Sequence, residues 1–157
     1  MRQSDDIKLP PAFSGPAQLV LYTRYDDPRN AGWENKWITK WHVQQWHPWF
    51  PEEEIKVHKH FWPILNDAFT ELEKLGLHKE IKTFNGCYKQ MHLRESPVLS
   101  VHCWGAAIDM NAEDNPTGTV GTWSEDFIKV MERHGIYCGQ SWNGSTEPMH
   151  FAMVNGE

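Results

Sequence analysis

Three ligand-type side chains sit in apolar company, and they restrict the fold more than any other feature of this sequence. His102 and Asp109 close the two ends of His102-Cys103-Trp104-Gly105-Ala106-Ala107-Ile108-Asp109. In one straight strand they would lie roughly 23 Å apart, at about 3.3 Å per residue. To share a metal, each must bring a ligand atom to about 2 Å from it. The chain must therefore fold back between them, and Gly105 is the residue that permits the bend. Asp109 is then displayed from a strand whose backbone is fixed by Ala107 and Ile108. The other half is Glu147-Pro148-Met149-His150-Phe151. Pro148 drives Glu147 into extended backbone. His150 lies in an apolar run, where an imidazole needs a strong partner to be tolerated.

A metal would be such a partner. Two histidines, one carboxylate and an open fourth position form the pattern of a catalytic zinc site. The set suits Zn²⁺ without excluding other divalent ions. Zinc lowers the pKa of bound water and polarises a carbonyl. Glu147, in a turn after Trp142-Asn143-Gly144-Ser145-Thr146, is placed to take the water proton and pass it to a leaving amine. The chain has nine histidines, so one alone says little. His42, His47, His58, His60, His78 and His134 read as surface or internally satisfied residues. Cys103 reads as a buried thiol: one residue on from His102 in extended chain, it points to the opposite face.

The hydrophobic pattern predicts an α+β fold, a small antiparallel sheet flanked by helices. Phe61, Leu65, Phe69 and Leu72 recur at helical spacing within 55–76, with the stable part starting near His60 and Gly76 ending it. A second helix covers 124–134, capped by Ser124 and stopped by Gly135. Strands are expected at 80–84, 106–110 and 148–154, with a turn at Asn85-Gly86. Residues 1–54 read as an extension packed on the domain formed by 55–157. Leu19 to Tyr25 could be a short strand in an otherwise extended arm. Trp33, Trp37 and Trp41 fall at i, i+4, i+8 and predict an aromatic stripe on one helix. Core packing is the first reading of that stripe, and a platform for sugars or wall polymer is the alternative.

At 157 residues the chain is one domain in size. Its nine tryptophans argue against disorder. A net charge of −6 gives no electrostatic footprint for nucleic acid or an acidic membrane surface. No stretch approaches the roughly 20 apolar residues of a membrane helix. The start, MRQSDDIKLPPAF, carries no apolar core of a secretory signal. Cys87, Cys103 and Cys138 show no CxxC spacing and read as reduced thiols of a protein made in the cytoplasm. No obligate protein partner is expected.

The strings Ser100-x-His102-x-x-Gly105-x-Ala107-x-Asp109 and Glu147-x-x-His150-Phe151 together resemble the zinc D-alanyl-D-alanine carboxypeptidase family. That family includes phage and bacterial L-alanyl-D-glutamate endopeptidases. The resemblance runs through roughly 55–154, and Gly86-Cys87-Tyr88, Leu99, Trp104, Asn111 and Trp142 are similar to the endolysin-like branch. It implies zinc held by His102, Asp109 and His150, with Glu147 as the catalytic acid and base. It also implies a positive group aimed at the developing oxyanion. Arg94 is the nearest arginine upstream, at a longer spacing than the family's, and Lys89 is the alternative. Ser100, Tyr88 and Trp142 are the expected substrate contacts. The implied activity is hydrolysis of a peptidoglycan stem-peptide bond, L-Ala-D-Glu or D-Ala-D-Ala, by an enzyme that accumulates in the cytoplasm and meets the wall after release. A cytoplasmic D-Ala-D-Ala dipeptidase and a non-catalytic wall-binding module are the alternatives.

Overall fold

The structure, a computed structural model, describes residues 10–156. Its elements in chain order are α1 (Pro16–Tyr25), α2 (Trp33–Trp37), β1 (Ile38–Trp41), α3 (Val43–Trp46), β2 (Ile55–His58), α4 (Trp62–Lys74), β3 (Phe84–Gly86), β4 (Ala107–Met110), α5 (Glu125–Arg133), β5 (Tyr137–Gly139) and β6 (Glu147–Ala152). The fold is mixed α+β with two antiparallel sheets. One is the β1–β2 pair, and the other has the order β3-β4-β6-β5. Among the described residues no helix is long and apolar enough to cross a membrane.

The four-stranded sheet separates two apolar clusters. Ile108, Met110, Cys138 and Phe151 turn toward Leu65, Phe69 and Leu72 of α4 and Phe127 and Met131 of α5. Ala107 and Ala152 turn the other way, toward Trp104, Leu21, Trp33 and Phe13. This is the period-two alternation of strands buried on both faces. Fully burying a side chain such as Phe151 contributes about 1.5–3 kcal/mol, so the register of β6 is strongly held. A slip of one residue would turn Phe151 out of its cluster. His150 and Asp109 occupy the same face as the alanines, where small neighbours leave room for polar side chains.

Both main helices follow from local rules. Pro63 falls in the first turn of α4, where its missing N–H is harmless. Gly76 follows at φ 73, a left-handed conformation that ends the helix. Ser124 caps α5 by accepting the Phe127 N–H at 3.1 Å, and Glu125 and Asp126 complement the helix dipole.

Four expectations are corrected. Leu19 to Tyr25 is helical, not a strand: Pro16 opens α1 and buries Ala17, Leu21 and Tyr25 at four-residue intervals, so packing overrides β propensity. The part of the proposed arm before Pro10 lies outside the described residues. Trp33 and Trp37 share the short α2, but Trp41 belongs to β1, because pairing of 38–41 with 55–58 takes that backbone into a ladder. The same pairing makes Ile55–His58 a strand ahead of α4. Residues 80–84 are not a strand either. The side-chain oxygen of Asn111 accepts the N–H groups of Lys82 and Thr83 at 2.8 and 3.0 Å, and β3 starts only at Phe84, with Asn85-Gly86 inside it. β5 was not anticipated from the sequence.

Candidate metal centre

Gly105 sets the approach of His102 to Asp109. Residues Val101–Trp104 form a single 3₁₀ turn rather than the extended chain expected there, and Gly105 ends it at φ 65. A Cβ on Gly105 would stand 2.7 Å from the backbone nitrogen of His58 and from Ile38 Cδ1. Glycine is thus required for its conformation and for the close passage of the β1–β2 pair. Ser100 caps the turn, its Oγ accepting the His102 N–H at 3.2 Å. The turn and the glycine reverse the chain so that His102 returns over β4.

Asp109 and His150 need no such device, because they are opposed residues of the β4–β6 ladder. Directly opposed side chains lie on one face of a sheet. One ligand atom from each of His102, Asp109 and His150 lies within 4.8 Å of the others. His102 Nε2 stands 3.2 Å from Asp109 Oδ1, and His150 Nδ1 stands 3.4 Å from the same oxygen. His102 and His150 are almost fully buried, and only 13% of the Asp109 side chain is exposed.

The donor set fits a metal ion on its own chemistry. His102 Nδ1 lies 2.7 Å from the carbonyl oxygen of Cys87. A carbonyl can only accept, so Nδ1 carries the proton, and in the neutral ring Nε2 presents its lone pair to Asp109. Asp109 Oδ1 is buried and receives no hydrogen bond of acceptable geometry. A lone pair and a carboxylate oxygen converging in a buried place suit a shared cation. Metal-binding histidines have their second nitrogen fixed in this way. Burial is the strongest influence on Asp109 and opposes its charge, but His102 and His150, when protonated, place positive charge beside it that more than offsets burial and holds the carboxyl well below its usual range.

Glu147 reaches the same face through an irregularity. Residues i and i+3 of an unbroken strand face opposite ways. Here Cys138 opposes Phe151, but the next residue, Gly139, opposes Glu147. Three residues of β6 are thrown out of register, and Glu147 rejoins the sheet on the face of His150. The bulge is pinned through the Pro148 carbonyl, which accepts Trp123 Nε1–H at 2.8 Å and the Cys138 thiol at 3.3 Å.

The other anticipated residues fall in distinct places. Lys89 Nζ lies 3.4 Å from Asp109 Oδ2, within the site. Arg94 is exposed on the turn between the bridged residues His92 and Leu99. Trp142 is half-buried, its ring centroid 5.1 Å from that of His150. Ser100 is buried and supports the His102 turn. Tyr88 points away toward α2, donating to Glu34 Oε1 at 3.0 Å. Cys87, Cys103 and Cys138 are buried free thiols. The Cys103 thiol donates to the Met91 carbonyl at 2.9 Å and helps hold the segment that carries Lys89. The Cys87 carbonyl that orients His102 was missed from sequence, since any residue supplies a carbonyl.

Residues 94–153 match the model of the D-alanyl-D-alanine carboxypeptidase family. The matched segment holds His102, Asp109, Glu147 and His150. It leaves out α1, α2 and the β1–β2 pair. No curated protein and no solved structure matches the chain.

Proposed function

We propose that this chain is a zinc peptidase that hydrolyses a bond in the stem peptide of peptidoglycan. One observation carries the reading: three ligand atoms, from the 101–104 turn, β4 and β6, lie within 4.8 Å of one another. A carboxylate, Glu147, shares their sheet face. Bound zinc would supply Lewis acidity toward the scissile carbonyl and a lowered pKa for the attacking water. His102, Asp109 and His150 would hold it. Glu147 accepts the proton of the attacking water and delivers it to the leaving amine. Lys89, beside Asp109, offers positive charge to the oxyanion that develops on the carbonyl.

The matched family's name supports a D-alanyl-D-alanine bond. The similarity of Gly86-Cys87-Tyr88 and Trp142 to the endolysin-like branch supports L-alanyl-D-glutamate, and this is the bond we propose. The accompanying biology would be that of a phage-type endolysin, made in the cytoplasm and acting after release. The test is mass spectrometry of soluble products from isolated peptidoglycan incubated with the protein and Zn²⁺, with and without chelator. Stem peptides bearing a new amino-terminal D-glutamate, absent under chelation, are expected. Release of D-alanine alone would move the reading to a carboxypeptidase, and no soluble product would reject it.

A further inference from the structure

Beside the candidate metal centre lies a cavity of about 460 Å³ lined by Ser141, Trp142, Asn143, Ser145, Asn155 and Gly156. It adjoins the centre through Trp142, whose ring tilts against His150. Two features set it apart from an ordinary surface hollow. Its lining holds no charged side chain, although the whole chain is 23% charged. Among the described residues, the side chains of Asn143, Ser145 and Asn155 enter no hydrogen bond, and Asn143, Ser145 and Asn155 are exposed. The cavity therefore offers two amides, two hydroxyls and an indole to one ligand.

Such a lining offers no counter-charge to an ionic group. Amides and hydroxyls both donate and accept, and an indole offers an apolar face with a polar edge. Together they match a neutral ring bearing hydroxyl and acetamido groups. Pockets of a few hundred Å³ hold ligands of that size. In peptidoglycan the stem peptide hangs from an N-acetylated amino sugar, next to its first alanine. A bond cut one residue from the sugar brings that sugar close to the metal.

We propose that this cavity is a subsite for the N-acetylated sugar to which the stem peptide is attached, with Asn143 and Asn155 as its specificity-determining residues. The inference rests on the peptidase reading given above. Asn155 and Gly156 lie beyond the segment that matches the carboxypeptidase family.

The experiment measures kcat and KM of the zinc-loaded protein on two substrates: a synthetic stem peptide, and the same peptide attached to the N-acetylglucosaminyl-N-acetylmuramyl disaccharide. The wild type should show a KM at least tenfold lower for the disaccharide-linked substrate. In Asn143→Ala and Asn155→Ala that ratio should fall toward one, through KM rather than kcat. Both residues are exposed, so the variants should fold. Equal KM values in the wild type, or a ratio unchanged in both variants, would overturn the subsite while leaving the peptidase reading intact. Cleavage of neither substrate would overturn both.

Discussion

Asp109 and His150 oppose each other directly across the β4–β6 ladder, and Asp109 Oδ1 stands 3.4 Å from His150 Nδ1. The ladder thus prepares two of the three ligands without any loop. The third, His102, depends on a turn ended by one glycine. The two halves of the site should respond differently to mutation.

His102→Ala, Asp109→Ala and His150→Ala should each abolish stoichiometric zinc after dialysis, measured by atomic emission against protein concentration. The wild type should gain thermal stability with zinc. Ligand at 100 times its Kd adds about 2.7 kcal/mol when only the folded state binds. A zinc-independent melting temperature in the wild type would show that the three side chains hold no ion.

Glu147→Gln removes a base while keeping the shape of the side chain. Zinc content and melting temperature should match the wild type, and hydrolysis should fall by about 10²–10⁴, the usual share of general acid–base catalysis. A variant that digests wall at the normal rate would remove Glu147 from the mechanism.

Lys89 and Arg94 can be separated by comparing Lys89→Ala with Arg94→Ala. Lys89 Nζ is 3.4 Å from Asp109 Oδ2, while Arg94 is exposed on a turn. The lysine variant should lose about 10²-fold or more in kcat, as when one oxyanion donor is deleted. The arginine variant should change little. The reverse order would assign the positive charge to Arg94.

Gly105→Ala tests the turn. Its φ of 65 strains any residue with a Cβ, and the new methyl would meet His58 backbone at 2.7 Å. Strain of this kind costs of order 1–3 kcal/mol, and the contact adds to it. Denaturant unfolding should show the loss, and zinc affinity should fall with it, since the same turn positions His102.

His58 should make stability pH-dependent. It is fully buried among Tyr25, Trp33 and Trp37, with its Nδ1 accepting the His60 N–H. Burial, helped by the nearby charges of His60 and Lys59, pushes its pKa down to about 3. The unfolded chain binds a proton near pH 6.5 that the folded chain refuses until near pH 3. Between those values the unfolded state holds more protons, so stability falls as pH falls. The slope approaches about 1.4 kcal/mol per pH unit for one proton. His58→Phe should flatten the pH dependence of urea unfolding between pH 4.5 and 6. An unchanged slope would mean that His58 titrates alike in both states.

The α+β class, α4, α5, and strands near 106–110 and 148–154 were legible because each carries a local signal. Phe61, Leu65, Phe69 and Leu72 keep one spacing, and Ser124 caps its own helix. Two of the misread segments, 80–84 and 33–41, have their backbone claimed from far away. Asn111 takes the N–H groups of Lys82 and Thr83, and the 55–58 strand claims 38–41. Nothing inside 80–84 or 33–41 records those demands.

The same division runs through the site. The types and order of the candidate ligands His102, Asp109 and His150 and of the candidate base Glu147 are legible in the sequence alone, as is the need for a bend at Gly105. Residue identity sets which groups can bind a metal or move a proton, and a glycine between two donors is a local fact. Only the tertiary structure decided that Asp109 and His150 share a ladder pair, that a bulge brings Glu147 to their face, that Cys87 orients His102 and that Lys89 reaches Asp109. The first three are matters of register and of backbone groups, which every residue shares, and the Lys89 side chain meets Asp109 only through the path of the chain, so no local pattern could announce them.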